Sequence, residues 1–315
     1  MRWDTVGRGH RNPMASKRTT PPPLKDVIKA FPKLAEMARP AVRLHPRRGR
    51  VLNHHATKLG GEFAWPSTES WPCCNDHNMP VVGALQINKA DIGDFPFKKG
   101  TDLFQLVWCA AENDGEEPHL FHLFWRDSRA GGPPRRKPRS PKPAPHRCSY
   151  LLEPCRLFPE RVIDFPTMGE LSRPLLKKIE AWDLSGDPEV QKRITGDWTR
   201  SPFSPGEDLY RELACAPGTK IGGWPNWIQY PEWPTCDCGK PMQHLLTVAS
   251  LEDFRSPRWC PVEDRPKAAA CKGDYEKLLN LSHQLGLDFG DGGDVYFFLC
   301  RQCKHWPWKV RYQCG

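Results

Sequence analysis

The chain has 315 residues, enough to bury a sizeable core without disulfide staples, and 38% of them are hydrophobic. The net charge of +9 is unevenly spread: residues 1–50 carry 13 Lys and Arg against three acids, residues 126–147 carry eight against one, and the remainder sums to −8. This weakens a nucleic-acid reading, which wants cations gathered on a folded face, and the absence of any run near the roughly 20 apolar residues of a membrane span, or of an apolar secretion signal in MRWDTVGRGHRNP, predicts a cytosolic protein.

The counts of 13 tryptophans and 34 prolines favour short strands and rigid turns over long helices. In chain order, residues 1–23 read as a disordered basic arm. Residues 24–44 read as an N-terminal helical segment, with apolar positions at Leu24, Val27, Ile28, Phe31, Leu34 and Met37 and a break at Pro32. Residues 45–125 form a first β-rich unit with strands at Val81–Ile87, Leu103–Cys109 and Leu120–Trp125. A disordered, Pro-rich basic loop spans 126–147.

Residues 148–219 read as a helical connector, with a strand-like piece at Arg161–Phe165 and helices near Leu175–Trp182 and Asp208–Cys215. A second β-rich unit covers 220–315, with strands at Leu245–Ala249, Val295–Cys300 and Trp308–Gln313 and a helical insertion near Tyr275–Leu285. The string KLGGEFAWPSTESWPCC at 58–74 returns as KIGGWPNWIQYPEWPTC at 220–236. The expected fold is therefore α+β, mainly β, with two internally duplicated units packed as one body and a few short helices. The repeated Gly60, Gly61, Gly222 and Gly223 suit positive φ or close backbone approach. Trp65, Trp71, Trp227 and Trp233 suit core packing or, alternatively, a ligand groove. Lys58 and Lys220 suit surface support or contact with an anion.

In a reducing cytosol, 13 cysteines point to metal ligands before disulfides. Cys236 and Cys238 follow the second repeat, and Cys300 and Cys303 close an apolar strand some 60 residues later. Two thiol pairs from separate knuckles make a tetrahedral site, and four thiolates select structural Zn(II). A redox CxxC would open a helix, whereas this one lies between strands. The single residue between Cys236 and Cys238 is irregular, which leaves Cys260, Cys314 and His305 as substitute ligands. In the first unit Cys74 stands where Cys236 does and Cys109 where Cys300 does, and simple counting puts Asp76 and Glu112 at the other two corners. A weaker second site from Cys74, His77 and Cys109 with an acid or His119, Cys73 lying next door, competes with a decayed site whose cysteines have become core. DFGDGGDVYFF carries Asp288, Asp291 and Asp294 among glycines and reads as turn chemistry before a strand.

Lys220 to Gln229 (KIGGWPNWIQ), the Gly290–Asp294 stretch before Val295–Phe298, and Lys58–Gly61 together with Ala84–Asn88 resemble the YwqG-like family of bacterial proteins of unknown function. The resemblance covers about residues 45–125 and 150–313. It implies a mainly β, duplicated fold and no established activity; the cysteine pairs look like those of a subset of relatives. The leading expectation is a zinc-stabilised binding protein holding a protein or peptide between its two units. One alternative is an enzyme or small-molecule binder using Lys58, Lys220, Trp227, Asp291 or Asp294 in a cleft between the repeats. The other is nucleic-acid binding through the basic arm and loop.

Overall fold

The computed structural model describes residues 17–51, 53–111, 120–130, 149–189, 203–252, 254, 256 and 258–315. A one-turn helix, α1 (Val27–Ala30), is capped by Asp26, whose carboxylate accepts from the N–H groups of Ile28 and Lys29. A 3₁₀ turn at Pro32–Met37 follows. The strands are β1 (Arg39–Arg43), β2 (Arg47–Arg48), β3 (Lys58–Leu59), β4 (Cys73–Cys74), β5 (Met79–Pro80), β6 (Val82–Asn88), β7 (Leu103–Trp108), β8 (Phe121–Arg126), β9 (Cys155–Arg156) and β10 (Glu160–Asp164). Then come α2 (Arg173–Glu180) and α3 (Pro205–Ala214), followed by β11 (Lys220–Gly222), β12 (Gln243–Ala249), α4 (Arg265–Ala270), α5 (Tyr275–Ser282), β13 (Asp294–Leu299) and β14 (Trp308–Gln313). The start of α3 shows why the sequence breaks there: Ser204 and Glu207 form a reciprocal capping box with Pro205 in the first turn.

Two six-stranded sheets hold the body together, in the orders β2-β9-β3-β6-β7-β8 and β10-β1-β11-β12-β13-β14, with β4-β5 as a separate hairpin. The last four strands of each order repeat one another, antiparallel throughout. Lys58 pairs with Gln86 as Lys220 pairs with Thr247. The β6/β7 register slips between Gly83 and Leu85, and the β12/β13 register slips between His244 and Leu246. A bulge kept at the same place in both halves marks them as copies of one unit. The mainly β, duplicated expectation is met on these registers.

The boundaries differ from the expected ones. Residues 24–44 are not helical throughout, because Arg39–Arg43 forms a strand between β10 and β11. Residues 148–219 are not only a helical connector, because they supply β9 to one sheet and β10 to the other. Residues 17–23, expected at the end of a disordered arm, are fastened to the body. Arg18 Nε donates to Asp264 over 2.9 Å, Thr19 N to Glu263 over 2.8 Å and Thr20 N to Glu160 over 2.6 Å. Residues 1–16 and 131–147, the rest of the arm and most of the basic loop, lie outside the described residues.

The period of two along each strand decides what the sheets bury. Phe104, Leu106 and Trp108 of β7 and Val295, Phe297 and Leu299 of β13 point into one shared core. Phe121 meets Phe297 edge-on at 5.3 Å, and Trp108 meets Phe289 at 6.0 Å. The surface expected between the two units is thus the core itself. The alternate residues face outward into two smaller clusters, Trp65, Cys74, Val107 and Cys109 on one sheet and Trp227, Cys236, Phe298 and Cys300 on the other. A fourth cluster joins α1, the 3₁₀ turn, α2 and α3 around Leu34, Ile179 and Tyr210.

At the bulge in β12, His244 is buried with Nδ1 2.9 Å from the Gly222 carbonyl oxygen and Nε2 2.9 Å from Thr247 Oγ1. Burial, followed by the Lys220 cation, pushes its pKa down to about 3. The unfolded imidazole titrates at about 6.5, so below that pH the unfolded chain binds one more proton than the folded one. This contribution is complete above pH 6.5 and is lost as pH falls toward 3, at about 1.4 kcal/mol per pH unit. His244→Gln is expected to remove that much of the slope of unfolding free energy between pH 6 and 4. Urea titrations at each pH measure it, and parallel curves for the two proteins would refute the assignment.

Candidate metal centre

The local sequence builds the first knuckle from a tight turn after the Trp-Pro loop. Thr235 bridges Pro241, Cys236 N donates to Lys240 O over 2.9 Å, and Gly239 N returns to Cys236 O over 2.8 Å. The turn closes at Gly239, whose φ of 80° lies where glycine carries no steric penalty. The second knuckle is the connection between β13 and β14. Cys300 N donates to Pro307 O over 2.9 Å and Trp306 N to Cys303 O over 3.1 Å. Lys309 in β14 ties the knuckles together, its Nζ 2.8 Å from Thr235 O and 3.0 Å from Asp237 Oδ1.

Between them the four sulfurs converge. Cys236 Sγ lies 3.8 Å from Cys303 Sγ, Cys238 Sγ 3.7 Å from Cys300 Sγ, and Cys300 Sγ 3.8 Å from Cys303 Sγ, all four within 4.8 Å of one another. A tetrahedral Zn(II) with Zn–S near 2.3 Å has an S···S edge of about 3.8 Å. Cys236 and Cys300 are buried under Trp227, Met242, Tyr296 and Phe298, whereas Cys238 is exposed. Burial raises the Cys300 thiol pKa, but the backbone N–H groups of Cys303 and Gln302 and the thiols of Cys236 and Cys238 bring it to about 7. The Cys238 thiol, then those of Cys236 and Cys300, push Cys303 up to about 12. One thiolate forms readily, and four need a cation among them. Cys260, Cys314 and His305 are not part of the group.

No protein-family model matches the chain, and no curated protein matches it. The reading of the centre therefore rests on its geometry.

The first unit has a counterpart. Cys74 Sγ and Cys109 Sγ each lie 3.5 Å from His77 Nδ1. Simple counting pointed to Asp76, and the structure places His77 there instead. Lys58 and Lys220 stand 162 positions apart, but β6 and β12, each seven residues long, stand 161 apart. The lost position falls in the hairpin: Cys73 pairs with Pro80, whereas Thr235 pairs with Pro241. The first turn is one residue longer, so His77 occupies the place of Cys238, and Asn78 with φ 47° occupies that of Gly239. Cys73 is exposed and outside the group. Glu112 and His119 lie outside the described residues.

The cleft candidates do not form one site. Lys220 is fully buried, with Nζ 2.6 Å from Asp164 Oδ2 and 3.2 Å from Cys215 Sγ. Burial opposes its charge, but Asp164 and Cys215 together outweigh this and hold its pKa above the ordinary lysine value. Lys58, in the other sheet, is also buried and donates to the carbonyls of Asn53 and His54 over 3.1 Å each; burial pushes it down to about 8. Neither lysine supports the surface, and the anion Lys220 meets is the protein's own buried Asp164 carboxylate. Trp227 packs on Tyr296 and Phe298 and donates from Nε1 to Glu170 over 2.7 Å. Asp294 is buried, and burial raises its carboxyl well above the usual range. Asp291 is exposed in the expected turn, where Gly290 and Gly292 take positive φ and Gly292 N donates to Asp288 Oδ1.

Sequence reasoning missed Asp164, the partner of Lys220. It sits 56 residues upstream on β10, a distance with no periodic signature.

Proposed function

We propose that this chain is a zinc-stabilised binding protein, with a structural Zn(II) held by Cys236, Cys238, Cys300 and Cys303 and a protein or peptide partner as its ligand. The observation that carries the metal reading is the set of sulfur separations of 3.7, 3.8 and 3.8 Å, which fits the tetrahedral edge of a Zn(II) tetrathiolate. Four thiolates leave no open coordination position, so the ion braces the fold instead of activating water. A tetrathiolate ion of this kind suits a reducing compartment, which supports a cytosolic location. Among the described residues, no helix is long and apolar enough to cross a membrane.

The binding surface lies away from the closed inter-sheet core, on the loop the zinc knuckle anchors. Trp227 and Trp233 both donate to Glu170 Oε1, over 2.7 and 2.6 Å. Gln313 accepts from the N–H groups of Ile228 and Gln229 over 3.1 Å each and donates to Tyr230 O over 2.6 Å. The loop backbone is thus fixed while Tyr230 remains 82% exposed and Ile228 37%. A rigid aromatic held out from an immobilised loop loses little entropy on binding, as interface anchors do. A photo-crosslinking residue installed at Tyr230 is expected to form protein adducts in the source cell, whereas the same residue at exposed Lys178 is not. Equal labelling at both positions, or none at Tyr230, would overturn the binding reading.

A further inference from the structure

We infer that the chain carries a second metal ion, a Zn(II) held in the first unit by Cys74 Sγ, His77 Nδ1 and Cys109 Sγ. Both sulfurs lie 3.5 Å from the same nitrogen, and the three donor atoms are within 4.8 Å of one another. His77 Nδ1 thus faces both sulfurs at one distance, either as an N–H shared between them or as a lone pair open to a cation. A shared cation satisfies both contacts at once. With Zn–S near 2.3 Å and Zn–N near 2.05 Å, the S···N edge of a tetrahedron is about 3.5 Å.

The surroundings match those of the four-thiol centre. Cys74 and Cys109 are buried beneath Trp65, Val81 and Val107, as Cys236 and Cys300 are beneath Trp227, Met242 and Phe298. Cys74 ends β4 and Cys109 follows β7, just as Cys236 follows the bridging Thr235 and Cys300 follows β13. The longer turn delivers an imidazole in place of the third thiol. Two thiolates and an imidazole suit the borderline-soft Zn(II) ion over the hard cations Mg(II) and Ca(II). Binding displaces the two thiol protons to solvent, and the ring proton of His77 then resides on Nε2.

This site uses none of the four cysteines of the first proposal, so the two stand or fall separately. The full chain, purified without a polyhistidine tag and dialysed after exposure to Zn(II), is expected to retain two equivalents by elemental analysis. His77→Ala should retain one, and Cys300→Ser paired with Cys303→Ser should also retain one. A wild type with one equivalent that His77→Ala leaves unchanged would overturn the second site and spare the first. No metal in any protein would overturn both. If His77→Ala does not fold, X-ray absorption at the zinc edge of the wild type decides: a shell near 2.0 Å beside sulfur near 2.3 Å supports the inference, and sulfur alone overturns it.

Discussion

Replacing Cys300 by serine is expected to halve the metal content and lower the melting temperature by on the order of 10 °C. Serine keeps nearly the same volume, so little packing is lost, but its hydroxyl is a poor ligand for a soft ion. A ligand bound only by the folded state stabilises it by about 4.1 kcal/mol at a free concentration 1,000 times its Kd. For a chain of this size each kcal/mol moves the melting temperature by about 2–4 °C. Cys155→Ser is the control, since Cys155 is equally buried and its sulfur lies 3.4 Å from Gln284 O, a contact a hydroxyl can keep. A chelator should bring the wild type down at least to the Cys300→Ser value and move the variant less. Equal melting of wild type and Cys300→Ser, with equal metal content, would sink the structural-zinc reading.

The loss would also reach the proposed partner surface. Cys236 and Cys300 lie under the same aromatic cluster that carries Trp227, with Trp233 packed against it. Losing the ion should therefore loosen residues 226–234 ahead of the shared core, and hydrogen exchange at Ile228 and Gln229 N–H resolves that order.

How much of this was legible follows from length and separation. β7, β8, β12, β13 and β14 are six or seven residues long with three to five apolar residues each, and the sequence reading lies within two positions of their ends. β3, β9 and β11 are two or three residues long, too short to show a period. β1 reads as helix in the sequence because Leu34 and Met37 extend the helical spacing toward it, while Pro40 hides the strand that follows. The four-thiol centre was readable because both knuckles keep their cysteines close in sequence. The three-donor group is legible as Cys74, His77 and Cys109, although an ungapped overlay of the two repeats points to Asp76; the hairpin pairing supplies the one-residue insertion that decides between the two.

Asp164 marks the other kind of illegible feature, a buried charge whose partner arrives from another strand. Its Oδ2 receives Lys220 Nζ at 2.6 Å and Trp224 N at 3.3 Å, and its Oδ1 receives Ala216 N at 3.0 Å. Gly223 stands against it with φ 67°, so close that any Cβ there would meet the Asp164 carboxylate and Ala41. The carboxylate thus joins β10, the end of α3 and the second Gly-Gly turn. Asp164→Ala leaves Lys220 uncompensated in a site where both side chains are 0% exposed, and breaking such a pair costs about 3–5 kcal/mol. Lys220→Met alone leaves the carboxylate with its two backbone donors and should cost less. The double variant, Asp164→Ala with Lys220→Met, removes both charges and should recover a large part of the loss, because buried pairs offset their own desolvation poorly. Urea denaturation of the four proteins closes the cycle. Additive losses in the double variant would show that Asp164 acts through its backbone contacts and not as the counter-ion of Lys220.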